Sequence, residues 1–317
     1  MLDLIGNIGI VPVIKIDDAK NAVPLAKALI DGGMPIAEVT FRTDAAEESI
    51  KLISEAFPKM LVGAGTVLTI EQAEKAKNAG AKFLVSPGFN PKVVKWSNDN
   101  NIPIYPGCTT PSEIEQALEL GLTTLKFFPA EQSGGLDKIK ALCAPYTKIK
   151  FIPTGGIDLT NVNKYLAFPK IVACGGSFMV KEDFINNQEW DKITELTKSS
   201  IITMLGFEIA HIGINANNEA EAKNITNSFS EIFNLDVKDG NSSLFAGTML
   251  EVMKSPYLGQ KGHIAIKTNS ITRAIYHLQA QGVEFNEESK KFNAKGELVA
   301  IYIALEIGGF AVHLLQK

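Results

Sequence analysis

The chain has 317 residues, 45% of them apolar and 21% charged, with a formal net charge of −4. That composition supports a packed globular core, and without a block of five like charges neither nucleic acid nor an anionic membrane is an expected partner. At ~150 residues per domain the length predicts two domains. The cysteines Cys108, Cys143 and Cys174 are widely spaced and form no C-x-x-C, which fits reduced thiols in the cytosol and not a disulfide framework. Asp3 stands where a signal peptide carries basic residues. No apolar run approaches the ~18 residues needed to cross a bilayer, so a soluble cytoplasmic protein is expected.

From residue 8 to residue 174, short apolar runs alternate with amphipathic stretches. Strands are predicted to begin at Ile10, Ala37, Met60, Lys82, Pro103, Thr123, Ile149 and Lys170, with helices such as Ala45–Phe57, Glu71–Ala79 and Pro111–Leu120 between them. Thr69 with Gln72 and Thr110 with Glu113 mark helix starts, and Gly80 and Gly121 mark helix ends. Repeated strand–helix units imply a parallel sheet with right-handed crossovers, and eight of them can close into a (β/α)8 TIM barrel. A doubly wound open sheet is the alternative.

After a last helix, Glu189–Thr203, the pattern changes at Gly206, giving predicted domains of 1–205 and 206–317. The second contains an internal repeat. One half opens on Phe207–Ile214 and closes on Gly247–Met253; the other opens on Gly262–Ile266 and closes on Gly309–Leu315. Each half has one helix, Glu219–Phe233 and then Ile271–Gln281, so a smaller α+β domain of paired βαβββ modules is expected.

In a (β/α)8 enzyme the chemistry sits at the C-terminal ends of the strands. Lys126 lies in an apolar strand between Leu125 and Phe127, so it points inward or snorkels at an edge. Burying an ammonium is costly unless it is paired or neutral, and the neutral amine is the form that attacks a ketone. Glu38, Thr40 and Arg42 share a face at strand period. They form either a plain ion pair or, near such a lysine, a proton shuttle and a carboxylate clamp. Gly63-Ala64-Gly65-Thr66 leaves room for a small ligand, or is only a turn. The glycine pairs Gly155-Gly156 and Gly175-Gly176, the second followed by Ser177, fall after predicted strands seven and eight, the usual phosphate site of such barrels. Ser86-Pro87-Gly88 and Pro106–Pro111 are rigid mouth loops or plain caps.

Taken in order, Glu38-Val39-Thr40-x-Arg42-Thr43, Gly63-Ala64-Gly65-Thr66, Ser86-Pro87-Gly88, Pro106-Gly107-x-x-Thr110-Pro111-Ser112-Glu113, Lys126-Phe127-Phe128-Pro129-Ala130-Glu131, Pro153-Thr154-Gly155-Gly156 and Gly175-Gly176-Ser177 resemble the 2-keto-3-deoxy-6-phosphogluconate/4-hydroxy-2-oxoglutarate aldolase family over residues 1–205. The resemblance implies a class I lyase with Lys126 as the Schiff-base lysine and Glu38 as general acid/base. It implies Arg42, Thr66, Pro87, Phe128 and Thr154 around the substrate, and Gly155, Gly156, Gly176 and Ser177 around its phosphate. It also implies a small 2-keto acid substrate, a trimer of barrels and no cofactor for the aldolase. Thr154 is similar to the phosphogluconate-type enzymes, the phosphogalactonate type being the alternative. A phosphate-sugar isomerase or epimerase is a further alternative.

All four histidines lie beyond residue 206. The barrel therefore works without imidazole, as a metal-free aldolase does. His211, His263 and His313 fall at repeat-related positions, with Glu251 at the fourth, so four ligands for a divalent metal are expected to converge. Residues 207–317 resemble the glyoxalase/bleomycin-resistance (vicinal oxygen chelate) superfamily, with His313 where metal-binding members often have a carboxylate. Such a domain is either a second metal enzyme or a metabolite-binding regulatory module. His277, on a helix, reads as solvated or partly packed.

Overall fold

The short apolar runs of the first two-thirds of the chain become eight parallel strands. They are β1 (Ile10–Ile14), β2 (Ile36–Thr40), β3 (Leu61–Gly65), β4 (Phe83–Ser86), β5 (Ile104–Pro106), β6 (Thr124–Phe127), β7 (Lys150–Pro153) and β8 (Cys174–Gly176). The computed structural model describes residues 1–317, which divide into two units, Met1–Met204 and Leu205–Lys317. In the first unit six strands pair in the order β5-β4-β3-β2-β1-β8, and β6 pairs with β7. Isolated parallel bridges, Gly107 to Lys126 on one side and Phe151 to Ile171 and Thr154 to Gly175 on the other, join the two sets in one curled sheet.

Nearly every strand residue is buried, as expected for a parallel sheet covered by helices. Space inside the curl is set by alternation of large and small residues. A Cβ on Gly63 would lie 2.2 Å from the Phe83 ring, so the glycine is what lets that ring point inward. Helices Ala46–Ala56, Ile70–Asn78 and Pro111–Glu119 fall within a residue or so of their expected ends. Thr110 and Glu113 form a capping box, which satisfies two donors at that helix start. Strand β8 begins at Cys174, four residues after the expected Lys170. The preceding segment is spent on a turn closed by the Ile171 amide donating to Phe168, and Ile171 itself makes only an isolated bridge.

The second unit is one mixed sheet of eight strands. These are β9 (Glu208–Asn215), β10 (Val237–Asp239), β11 (Ser243–Ala246), β12 (Leu250–Met253), β13 (Gly262–Thr268), β14 (Phe285–Phe292), β15 (Leu298–Ile303) and β16 (Phe310–Gln316), in the order β10-β11-β12-β9-β13-β16-β15-β14. The helix Glu219–Phe233 follows β9, and Ile271–Ala280 follows β13. Each half thus has its last strand parallel to its first, and the first strands meet antiparallel at the centre. The register is itself repeated. Gly213 pairs with His263 and Glu251, while Ala265 pairs with His211 and His313. His277, expected to be solvated or partly packed, is fully buried, because the helix Ile271–Ala280 turns its Ile271, Ala274 and His277 face onto the sheet.

Candidate active site

Lys126 sits on β6 and is 6% exposed; Glu38 sits on β2 and is 3% exposed. The Lys126 Nζ donates to Glu38 Oε1 at 3.2 Å. The inward reading of the lysine is therefore the observed one, and its charge partner is the carboxylate from four strands away. Gly65, beside Glu38 on β3, supplies the room: a Cβ there would lie 2.4 Å from Glu38 Oε1. Tyr105 lines the same narrow internal space, and burial pushes its phenol up to about 12, leaving it neutral. The Cys108 amide donates to the Lys126 carbonyl at 2.9 Å, stitching the end of β5 to β6. The Cys108 thiol, pushed up to about 12 by burial and then by Glu113, stays protonated.

Above this pair opens a cavity of about 590 Å³. Of the residues singled out from sequence, it is lined by Arg42, Phe128, Thr154, Gly155, Gly156, Gly176 and Ser177. Thr154 lines both the cavity and the internal space that holds Lys126 and Glu38, so it stands between them. Its Oγ1 is buried without a hydrogen-bond partner. Gly155 and Gly156 have φ of 100° and 76°, a backbone region that side chains avoid. Gly156 also packs against the Glu131 side chain, 2.7 Å from where its Cβ would be.

The sequence pattern placed Arg42 on the inward face with Glu38. The structure does not: β2 ends at Thr40, and Arg42 is exposed at the cavity wall while Glu38 pairs with Lys126. Thr40, the residue between them in that pattern, turns its hydroxyl to the Ile14 carbonyl at 2.8 Å. Thr66 and Pro87 are partly buried at the ends of β3 and β4, and neither is part of the cavity lining. Thr66 has φ 56°, costly for a β-branched residue. Lys15, Lys181, Glu182 and Asp183 line the cavity mouth and were not singled out from sequence.

The second unit gathers its own cluster. His211 Nε2 lies 3.0 Å and His263 Nε2 3.1 Å from Glu251 Oε2, and the two nitrogens are 3.1 Å apart. His313 completes a group whose histidine ligand atoms lie within 4.8 Å of one another. His263 is 2% and His313 6% exposed, and neither ring nitrogen of His313 has a hydrogen-bond partner of acceptable geometry. Gly213 is the condition for this approach, since a Cβ there would meet the His263 ring at 2.0 Å. Burial alone would raise the Glu251 carboxyl, but hydrogen bonds from His211, His263 and Ser243 outweigh it and hold the group well below the usual carboxylate range.

The sequence profile of the KDPG and KHG aldolase family matches residues 3–196. A 2-dehydro-3-deoxy-phosphogluconate aldolase of Haemophilus influenzae is 48% identical over 201 residues, which is 63% of this chain and 95% of that protein. The KHG/KDPG aldolase of Escherichia coli K12 is 40% identical over 192 residues, 61% of this chain and 90% of that one. Among solved structures, the KDPG aldolase of Legionella pneumophila, with pyruvate captured at low pH as a covalent carbinolamine intermediate, gives a TM-score of 0.61 at 38% identity. That match covers 63% of this chain and 98% of the other. A buried amine in a curled parallel sheet, with these relatives, defines a Schiff-base aldolase, a carbon–carbon lyase. The chain belongs to the KDPG and KHG aldolase family.

Proposed function

We propose that the first unit cleaves 2-keto-3-deoxy-6-phosphogluconate (KDPG) to pyruvate and glyceraldehyde 3-phosphate, and 4-hydroxy-2-oxoglutarate to pyruvate and glyoxylate. The observation that carries this reading is the buried Lys126–Glu38 pair at 3.2 Å beneath a cavity walled by glycine pairs. Proton transfer within the pair frees the amine, which attacks the C2 ketone; Glu38 then returns its proton to the carbinolamine hydroxyl, which leaves as water to give an iminium. Glu38, through a water, takes the C4 hydroxyl proton as the C3–C4 bond breaks, and the electrons pass into the iminium to leave an enamine. The aldehyde departs, C3 is protonated, and water releases pyruvate and restores the amine. Arg42, Thr66, Pro87 and Phe128 serve the keto-acid end. Gly155, Gly156, Gly176 and Ser177 serve the phosphate, through backbone amides, with positive φ at Gly155 and Gly156, and one hydroxyl.

The unpartnered Thr154 hydroxyl supports the phosphogluconate type, since it can bond a substrate hydroxyl where an apolar side chain cannot. Pyruvate release from the gluconate-type, the galactonate-type and the hydroxy-oxoglutarate substrates tests this, with fastest turnover expected for the first. Pentose phosphate turnover without carbon–carbon cleavage, and no pyruvate from any of the three, would establish an isomerase or epimerase instead.

The bridged strand ring supports a (β/α)8 barrel, the buried free thiols support a reducing cytoplasmic setting, and the family resemblance supports a homotrimer. For residues 206–317 the reading is a vicinal-oxygen-chelate-type domain that holds a divalent metal through His211, Glu251, His263 and His313. The unbonded His313 nitrogens and the near-contact of three donor atoms fit such an ion, for tetrahedral ligands at about 2.0–2.1 Å stand roughly 3.3 Å apart. The metal would supply a Lewis acid. Elemental analysis of the full chain is expected to find one equivalent, lost in a His211→Ala/Glu251→Ala variant; a metal-free wild type loaded with none of zinc, nickel, cobalt or iron would leave a metal-independent binding module.

A further inference from the structure

The histidine cluster of the second unit has a polar neighbour that supplies no ligand. On β11, Ser243 stands opposite Met253 of β12, and Phe245 stands opposite Glu251. Strand alternation puts Ser243 and Phe245 on one face of the sheet, the face of Glu251. The Phe245 ring meets His211 edge-on, with centroids 5.8 Å apart. The buried Ser243 hydroxyl donates to Glu251 Oε1 at 2.6 Å. His211 and His263 both approach the other oxygen, Oε2. The two oxygens of one carboxylate therefore have separate partners.

The second half of the repeat differs at one point. There Tyr302 of β15 stands opposite His313 of β16, and Ala300 opposite Leu315. Tyr302 thus corresponds to Phe245, and its ring stacks on His313 at 4.5 Å. The position that matches Ser243 is Ala300, which has no hydroxyl. An aromatic companion is common to both halves, whereas the hydroxyl comes only with the carboxylate. An imidazole presents one nitrogen to an ion, but a carboxylate binds through one oxygen or two. Only the carboxylate half needs a group that settles the number.

We propose that Ser243 is a positioning residue that keeps Glu251 a one-oxygen ligand, and so tunes the site to a four-coordinate cation such as zinc over a six-coordinate one such as manganese. This rests on the metal reading of His211, Glu251, His263 and His313. With Oε1 held by the hydroxyl, Oε2 is the oxygen left facing the histidines. Without the hydroxyl the carboxylate is free to turn and offer both oxygens, which suits a cation of higher coordination number and loosens the hold on a tetrahedral one.

The test loads wild type, Ser243→Ala and Ser243→Thr, each as the full chain, with zinc, manganese or cobalt. Competition with a chelator gives the zinc and manganese dissociation constants, and the visible absorption of bound cobalt reports its coordination number. Ser243→Ala is expected to weaken zinc binding about 10- to 100-fold. It is expected to weaken manganese less, and to lower the cobalt absorption as a second oxygen enters. Ser243→Thr keeps the hydroxyl and is expected to match wild type in all three. An unchanged cobalt spectrum in Ser243→Ala, equal losses for zinc and manganese, or a loss that Ser243→Thr shares overturns the proposal. A wild type that takes up none of the three metals refutes the metal reading itself, and this proposal with it.

Discussion

Lys126 and Glu38 are 88 positions apart in the chain and share one hydrogen bond. The lysine was legible because an apolar β-run offers no inexpensive place for an ammonium. Its partner Glu38 was legible as one member of a polar period-two face, and the same pattern put Arg42 on that face with it. Strand periodicity says which side chains share a face but not where the strand stops; here it stops at Thr40, two residues short. Lys15 was silent for a related reason: a lysine one residue past a strand looks like any solvated end. Replacing Glu38 by Gln keeps the shape and removes the base, so kcat is expected to fall about 10²- to 10⁴-fold, measured as pyruvate release. A loss smaller than tenfold would remove Glu38 from the proton transfer.

The same scale governs the response of the second unit to acid. Burial, then the neighbouring His263 and His211, push the His313 imidazole down to about 3 from an ordinary 6.5. Below that ordinary value the unfolded chain takes a proton that the folded ring refuses, so protonation favours unfolding. The contribution is fully present above pH ~6.5 and is lost as pH falls towards 3, by about 2 kcal/mol at pH 5. Glu251, held low by its hydrogen bonds, adds to the loss only below the ordinary carboxylate range. Urea unfolding of the chelated protein at pH 7 and pH 5 measures this, and equal stability at both would contradict a neutral buried His313.

At the scale of elements, Gly65 shows how strand packing sets catalytic geometry. Its Cβ would fall on the Glu38 carboxylate and Cγ, at 2.4 and 2.8 Å. Gly65→Ala is therefore expected to cost about 10²-fold in kcat by moving that group. The overpacking cost in stability is about 1–3 kcal/mol. Kinetics beside thermal unfolding separate the two, and full activity in the variant would mean Glu38 need not stand where it does. Most elements were legible because helix caps, glycine stops and apolar runs agreed. The start of β8 was not, since a run as apolar as Ile171-Val172-Ala173-Cys174 reads as strand throughout, and only a turn hydrogen bond at Ile171 separates its parts.

On the scale of the molecule, two units carry two cores and two separate polar clusters. The change of pattern at Gly206 led to expected domains of 1–205 and 206–317, and the structure divides into Met1–Met204 and Leu205–Lys317. What the tail serves was not visible, because three clustered histidines and a carboxylate name no substrate. Calorimetry of the full chain is expected to show two transitions. Added zinc or nickel at 100 times its dissociation constant should raise only the second, by about 2.7 kcal/mol of stabilisation. A single transition, or a metal shift in the first, would contradict separate sites.

Lys126 is the nucleophile on which the proposed cleavage depends. Borohydride reduction in the presence of pyruvate, followed by peptide mass analysis, tests it directly. The expected result is one reduced pyruvyl adduct on the peptide carrying Lys126, absent from Lys126→Ala. No adduct in the wild type, or one that persists at another lysine in the variant, would contradict it.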